Sequence, residues 1–211
     1  MKGLLIKEFI MLKKNWLVMF LFAGVFGVIG IISGFPSMLI LISLFITIYQ
    51  SNHITVDEQC KWQQYAIALP YGRRNIISSK YVYTAIISLC STVYISICYT
   101  ISAIIGRIDF SFAEFLMLML FSVVAGLIYP TIILPISYKF NSEKGRIFLM
   151  FINGCSGGLF ACFMTDGRIF DSLVELNNVA NFLPFITFAL VIVLYMISWK
   201  ISIRIYEKRD L

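Results

Sequence analysis

Charge is what this sequence has least of. Of its 211 residues only 13% are Asp, Glu, Lys or Arg and 60% are hydrophobic, whereas a soluble domain is roughly 25% charged. That excess is too large for one buried core and requires an apolar solvent. Histidine is nearly missing. The single one, His53, reads as an interface residue. With no paired carboxylates inside an apolar stretch and no Cys/His constellation, catalysis by the chain is not expected. The five cysteines, Cys60, Cys90, Cys98, Cys155 and Cys162, include no Cys-x-x-Cys pair. They suggest neither a disulfide framework nor a metal site and read as small apolar packing residues. The Gly-x-x-x-x-Gly-Lys-Ser/Thr signature that cradles nucleotide phosphates is missing too. Gly154-Cys155-Ser156-Gly157-Gly158 is glycine-rich but lacks the lysine.

What the chain has instead is long runs without charge. No Asp, Glu, Lys or Arg occurs between Lys14 and Asp57, Lys80 and Arg107, Glu114 and Lys139, Arg146 and Asp166, or Glu175 and Lys200. A membrane-spanning helix needs about 20 apolar residues. Four windows hold one span each, and the first is long enough for two, divided at Ser33-Gly34-Phe35-Pro36, where Gly and Pro favour a turn. The expected architecture is an all-α membrane protein with six spans near 16–32, 36–50, 81–105, 115–138, 147–164 and 182–203. Helices are required because lipid-facing backbone groups must be satisfied within the segment.

Six spans place the N-terminus, the second and fourth loops and the C-terminus on one side. That side holds 15 of the 17 Lys and Arg residues, leaving only Arg107 and Arg168 opposite. The basic side is therefore expected to be cytoplasmic, with both termini there. The net charge of +6 then reflects topology and contact with anionic lipid, not nucleic-acid binding. Residues 1–15 offer no small-residue cleavage site. Leu4, Leu5, Phe9 and Leu12 can share a helical face with Lys7, Glu8 and Lys14 off it, which reads as an interfacial helix.

The most informative segment is the cytoplasmic loop 51–80. Asp57-Glu58 precedes an amphipathic stretch, which suggests a short helix with acids at its positive end. Trp62, Tyr65, Ala66 and Leu69 fall at helical spacing and form one apolar face. Pro70-Tyr71-Gly72 stops the helix, and Arg73-Arg74 and Lys80 follow. Two readings compete for the stretch: a helix lying at the lipid headgroups, or one that docks into a groove on a cytoplasmic partner.

Asp57-Glu58, Trp62, Ala68-Leu69-Pro70, Arg73-Arg74 and Ser79-Lys80-Tyr81 resemble the cytoplasmic loop of small ABC-2-type permeases, the membrane subunits of bacterial ABC exporters. The opening Met1-Lys2-Gly3-Leu4-Leu5-Ile6-Lys7-Glu8-Phe9 and the charged tail after Ile201 are similar to the ends of such subunits. The specific part of the resemblance is that one loop. It implies an N-terminal interface helix, six spans, a coupling helix over 57–69, and a re-entrant external gate segment at 165–184 bearing Leu173, Val174 and Leu176. It also implies pairing with a second permease, a copy or a paralogue, on separate ATPase subunits in a bacterial cytoplasmic membrane. ATP and magnesium belong to the ATPase, and no cofactor is expected in this chain. Asp57, Glu58, Trp62, Tyr65 and Leu69 would dock, while Arg73, Arg74 and Lys80 would anchor the loop.

Gly154 and Gly158 form a Gly-x-x-x-Gly pair that permits close helix approach, within the chain or across a dimer. Pro130 and Pro135 should kink the fourth span, with the freed carbonyls satisfied by neighbours. Ion-coupled carriers usually hold an acid or histidine at mid-membrane, and none is expected here. A path lined by Ser, Thr, Tyr and other aromatics suits an amphipathic or hydrophobic substrate such as a peptide, a lipid-like molecule or a drug. The alternatives are the substrate-binding membrane subunit of a vitamin-type importer and a membrane protein of lipid metabolism.

Overall fold

A computed structural model describes residues 2–14, 16–34, 37–60, 62, 65, 72–108, 110–139 and 183–207. Every regular element among them is an α-helix: α1 Lys2–Lys14, α2 Trp16–Ser33, α3 Ser37–Gln59, α4 Arg73–Ile104, α5 Phe112–Lys139 and α6 Leu183–Glu207. Four of these, α2, α4, α5 and α6, are long and apolar enough to cross a membrane. In α3 the apolar part is Met38–Gln50, shorter than the others. The predicted span at 147–164, with Gly154 and Gly158, lies outside the described residues. So does the gate segment 165–184, apart from its last two residues, which begin α6.

The helices pack around two apolar cores. One joins α4, α5 and α6 through Ile77, Tyr81, Leu127, Ile133, Leu134 and Tyr195. The other joins α3, α4 and α5 through Leu39, Ile42, Ile95, Tyr99 and Leu118, with α2 laid against it by Ala23 and Phe26. The turn from α2 to α3 depends on Gly34, whose φ of +69° suits a residue without a Cβ. This is the break expected at Ser33-Gly34-Phe35-Pro36.

Between the two cores runs a seam of small hydroxyl residues on α3, α4 and α5. Ser43 Oγ donates to the Ser122 carbonyl at 2.7 Å, Ser91 Oγ to Ser43 Oγ at 3.2 Å, and Ser122 Oγ reaches Thr92 Oγ1 at 3.1 Å. Lipid offers no hydrophobic drive between helices, so such hydrogen bonds and close contacts hold them together at about 0.6 kcal/mol each on average. Gly126 sets the spacing. A Cβ there would lie 2.5 Å from Ser88 Oγ and 2.8 Å from Ser43 Oγ.

Both prolines lie inside a helix that runs unbroken from Phe112 to Lys139. Pro135 has no N–H to offer the carbonyl of Thr131 one turn earlier. Ser198 Oγ on α6 fills that role at 2.7 Å, a neighbouring helix satisfying the freed carbonyl. Tyr81 OH in turn lies 2.8 Å from Ser198 Oγ and 2.7 Å from Ser202 Oγ. Proline chemistry on α5 thus fixes which polar groups α6 and α4 present to it.

Candidate functional site

The charged residues of α1, α3 and α4 meet at one end of the bundle. The local reasons begin with α1. Leu4 and Glu8 are one helical turn apart and both are buried, while Ile6, Phe9 and Ile10 are exposed. The buried stripe of α1 therefore includes Glu8, which the sequence sets off the apolar face of Leu4, Leu5, Phe9 and Leu12. Positions 4, 8 and 12 share a face by helical period, and Lys80 and Lys7 supply the positive partners that make an inward carboxylate tolerable.

Asp57 also lies elsewhere than its sequence context suggests. The loop reading makes it the start of a coupling helix, but α3 continues from its apolar half through Asp57 to Gln59. Asp57 sits in the last turn of α3 with 3% exposure. It accepts from both Lys7 Nζ and Lys80 Nζ, joining α1, α3 and α4 through one carboxylate. Two cations held on its oxygens explain why the chain pulls this residue inward. Glu8 completes the cluster, 3.2 Å from Lys7 Nζ and 4.0 Å from Lys80 Nζ. His53 Nδ1 lies 4.0 Å from Glu8 Oε2. Two lysines thus face two carboxylates, with a histidine beside them.

The electrostatics follow from this geometry. Burial opposes ionisation of Asp57, but Lys80 and Lys7 outweigh it and hold its carboxyl below the ordinary value of 3.8. Burial pushes the His53 imidazole below 6.5; Glu8 pulls the other way but does not reverse the shift. The cluster is therefore balanced at neutral pH with an uncharged His53. Reading His53 as an interface residue does not anticipate its burial at 5% exposure.

The remaining loop residues divide by which way they face. Trp62 is half-buried, packs against the Leu4–Ile76 pair, and lies under Lys7 Nζ at 4.6 Å from its ring centre. Tyr65 points outward with 69% exposure. Arg73 Nη1 donates to the Glu207 carbonyl at 3.1 Å, tying the loop to the last turn of α6, where a cation complements the helix dipole. Arg74 is exposed at the start of α4. Lys80 is buried among the carboxylates, at 8% exposure. Leu69 lies outside the described residues, as do most positions from 61 to 71, and the side chain of Glu58 is not described.

This arrangement is a structural joint between three helices. The segment leaving α3 carries an exposed aromatic at Tyr65 and is fastened at its root to α1 by Trp62 and Lys7. The root is fastened to α4 by the Asp57–Lys80 pair. A force on the segment acts on three helices at once, because their shared ion cluster is buried and costly to break. The joint draws on residues as far apart in the chain as Glu8 and Lys80, and the only local signal for it was Glu8 falling on the stripe of Leu4 and Leu12.

A family model described as ABC-2 family transporter protein matches residues 3–207. No curated protein matches the chain, and no solved structure does.

Proposed function

The chain belongs to the ABC-2 transporter family, as a permease subunit of an ABC transporter, and on that premise we propose that it works as an exporter of amphipathic or hydrophobic molecules. The family match over 205 of 211 residues supports the permease part of this reading. Energy comes from separate ATPase subunits that bind ATP and magnesium. Two permeases, identical or paralogous, form the path in a bacterial cytoplasmic membrane, with the basic side and both termini in the cytoplasm.

In this scheme the segment after α3 docks on the ATPase through Glu58, Tyr65 and Leu69. Trp62 and Asp57 take a different part. They anchor the segment to α1 and α4, so that closure of the ATPases levers all three helices together. Arg74 meets the partner or lipid phosphate, and Arg73 holds the loop to α6. The external segment 165–184 gates the exit. The substrate is taken to carry both apolar surface and hydrogen-bonding groups, in keeping with spans rich in Ser, Thr, Tyr and other aromatics and almost free of charge.

The test of substrate class is ATP turnover by the permease–ATPase complex in proteoliposomes. Stimulation by hydrophobic peptides or lipid-like amphiphiles, with movement away from the ATPase side, is the expected result. Turnover that responds only to small hydrophilic solutes would overturn the substrate reading, and movement toward the ATPase side would overturn the direction.

A further inference from the structure

Beside the ion cluster lies a small cavity between α1, α3, α4 and α5, with about 20 Å³ of space open to the centre of a water molecule. Its polar lining includes Gln50, His53 and Tyr83, and its apolar wall includes Pro130 and Ile133. Glu8 from α1 and Lys80 from α4 also reach it.

Gln50 is 4% exposed, His53 5% and Tyr83 2%. Among the described residues, none of the polar side-chain atoms of these three has a hydrogen-bond partner: Gln50 Nε2 and Oε1, His53 Nδ1 and Nε2, and the Tyr83 hydroxyl. Buried polar groups in folded proteins are almost always paired. Five unpaired atoms around one cavity therefore call for a ligand that both donates and accepts.

Charge narrows the choice. A cation would sit against the Lys80 ammonium, and an anion against the Glu8 carboxylate. A neutral species is required, and the donor set matches one. Gln50 brings donors and an acceptor, a neutral imidazole one of each, and a phenol one of each. Size agrees, since one water needs about one probe sphere of room, roughly 10–15 Å³, and two to four polar partners, and about 20 Å³ open to water centres holds at least one. We propose that Gln50, His53 and Tyr83 hold one or more structural waters at the inner edge of the ion cluster. Glu8 places α1 over this site, so the water belongs to the same joint that fastens α1 to α3 and α4. This inference rests on the cavity alone and stands whether or not the exporter reading does.

The test is pulsed hydroxyl-radical labelling of the purified full chain in lipid nanodiscs, read by mass spectrometry. Radicals formed from a bound water label the side chains that touch it even where bulk solvent does not reach. Tyr99 is the internal control, because it is 0% exposed and its hydroxyl is also unpaired, but it lies off this cavity. Tyr83 and His53 are expected to label several-fold faster than Tyr99. A Gln50→Leu/His53→Phe variant should bring Tyr83 down to the Tyr99 rate. Equal rates for Tyr83 and Tyr99 in the native chain would overturn the proposal. Should the variant fail to fold, high-resolution density for the native chain decides. One or more separate spherical peaks within hydrogen-bonding distance of at least two of the three side chains support the water, and no peak or an elongated ligand removes it.

Discussion

Asp57 is the keystone of the joint, and its removal has a magnitude that follows from the cluster. With Asp57 in place, Lys7 and Lys80 both bond its carboxylate, and Glu8 balances the second positive charge. Asp57→Ala leaves two ammonium groups sharing Glu8, and Lys80 is too buried at 8% exposure for water to replace the lost partner. Removing one member of a buried pair costs about 3–5 kcal/mol. For a chain of this size each kcal/mol lowers the melting midpoint by roughly 2–4 °C, so the fall should be about 6–20 °C. The double variant Asp57→Leu/Lys80→Met is the informative control. It leaves Lys7 opposite Glu8 and the charge balanced, and apolar replacements of buried pairs are often neutral or stabilising. The double variant should therefore melt close to the native chain, recovering most of the about 3–5 kcal/mol lost when Asp57 alone is removed. The assay is tryptophan-fluorescence melting of the purified protein in one detergent. A small loss in Asp57→Ala, or a double variant that loses the sum of both singles, would refute the argument that the cluster acts as a unit.

Further outcomes follow from the same geometry. Trp62→Ala should lower stability by about 1–2 kcal/mol through lost packing and the lost lysine contact, whereas Tyr65→Ala should leave melting unchanged and weaken co-purification with the ATPase. Gly126→Ala puts a Cβ 2.5 Å from Ser88 Oγ and should cost about 1–3 kcal/mol by overpacking, with partial recovery on adding Ser88→Ala, both read from melting curves. Because the folded His53 titrates below its ordinary 6.5, the unfolded chain takes up the proton first as pH falls. Stability should then drop from about pH 6.5 downward, a drop that His53→Gln removes in melting curves taken from about pH 7 to about pH 5. Asp57 works in a lower window, since its folded value lies below 3.8. Its contribution is present above that value and lost as pH falls through the folded one.

Four of the six expected spans were legible because charge cannot enter lipid unpaired. The charge-free windows place α2, α4, α5 and α6 nearly where they lie, and Gly34 supplies the turn that its place beside Phe35-Pro36 suggests. The end of α3 was not legible. Asp57-Glu58 carries the signature of a helix start, yet α3 runs through it to Gln59, since its tertiary partners on α1 and α4 outweigh a local preference worth well under 1 kcal/mol per residue. The joint was hidden for a related reason. Glu8, His53, Asp57 and Lys80 come from three helices, and no local period connects them. The face of α1 was half visible. Leu4 and Leu12 point to the buried stripe, but Glu8 between them looks like an exposed acid until Lys80 is placed opposite.

The central claim is that this permease is driven by a separate ATPase bound at the segment after α3. The direct test is affinity purification of the tagged native chain from its own membrane in mild detergent, followed by ATPase activity on the eluate. The account predicts a co-eluting ATPase whose association is lost in a Tyr65→Ala/Leu69→Ser variant that still melts like the native chain. A permease that elutes alone, or one whose ATPase association is untouched by that variant, would contradict it.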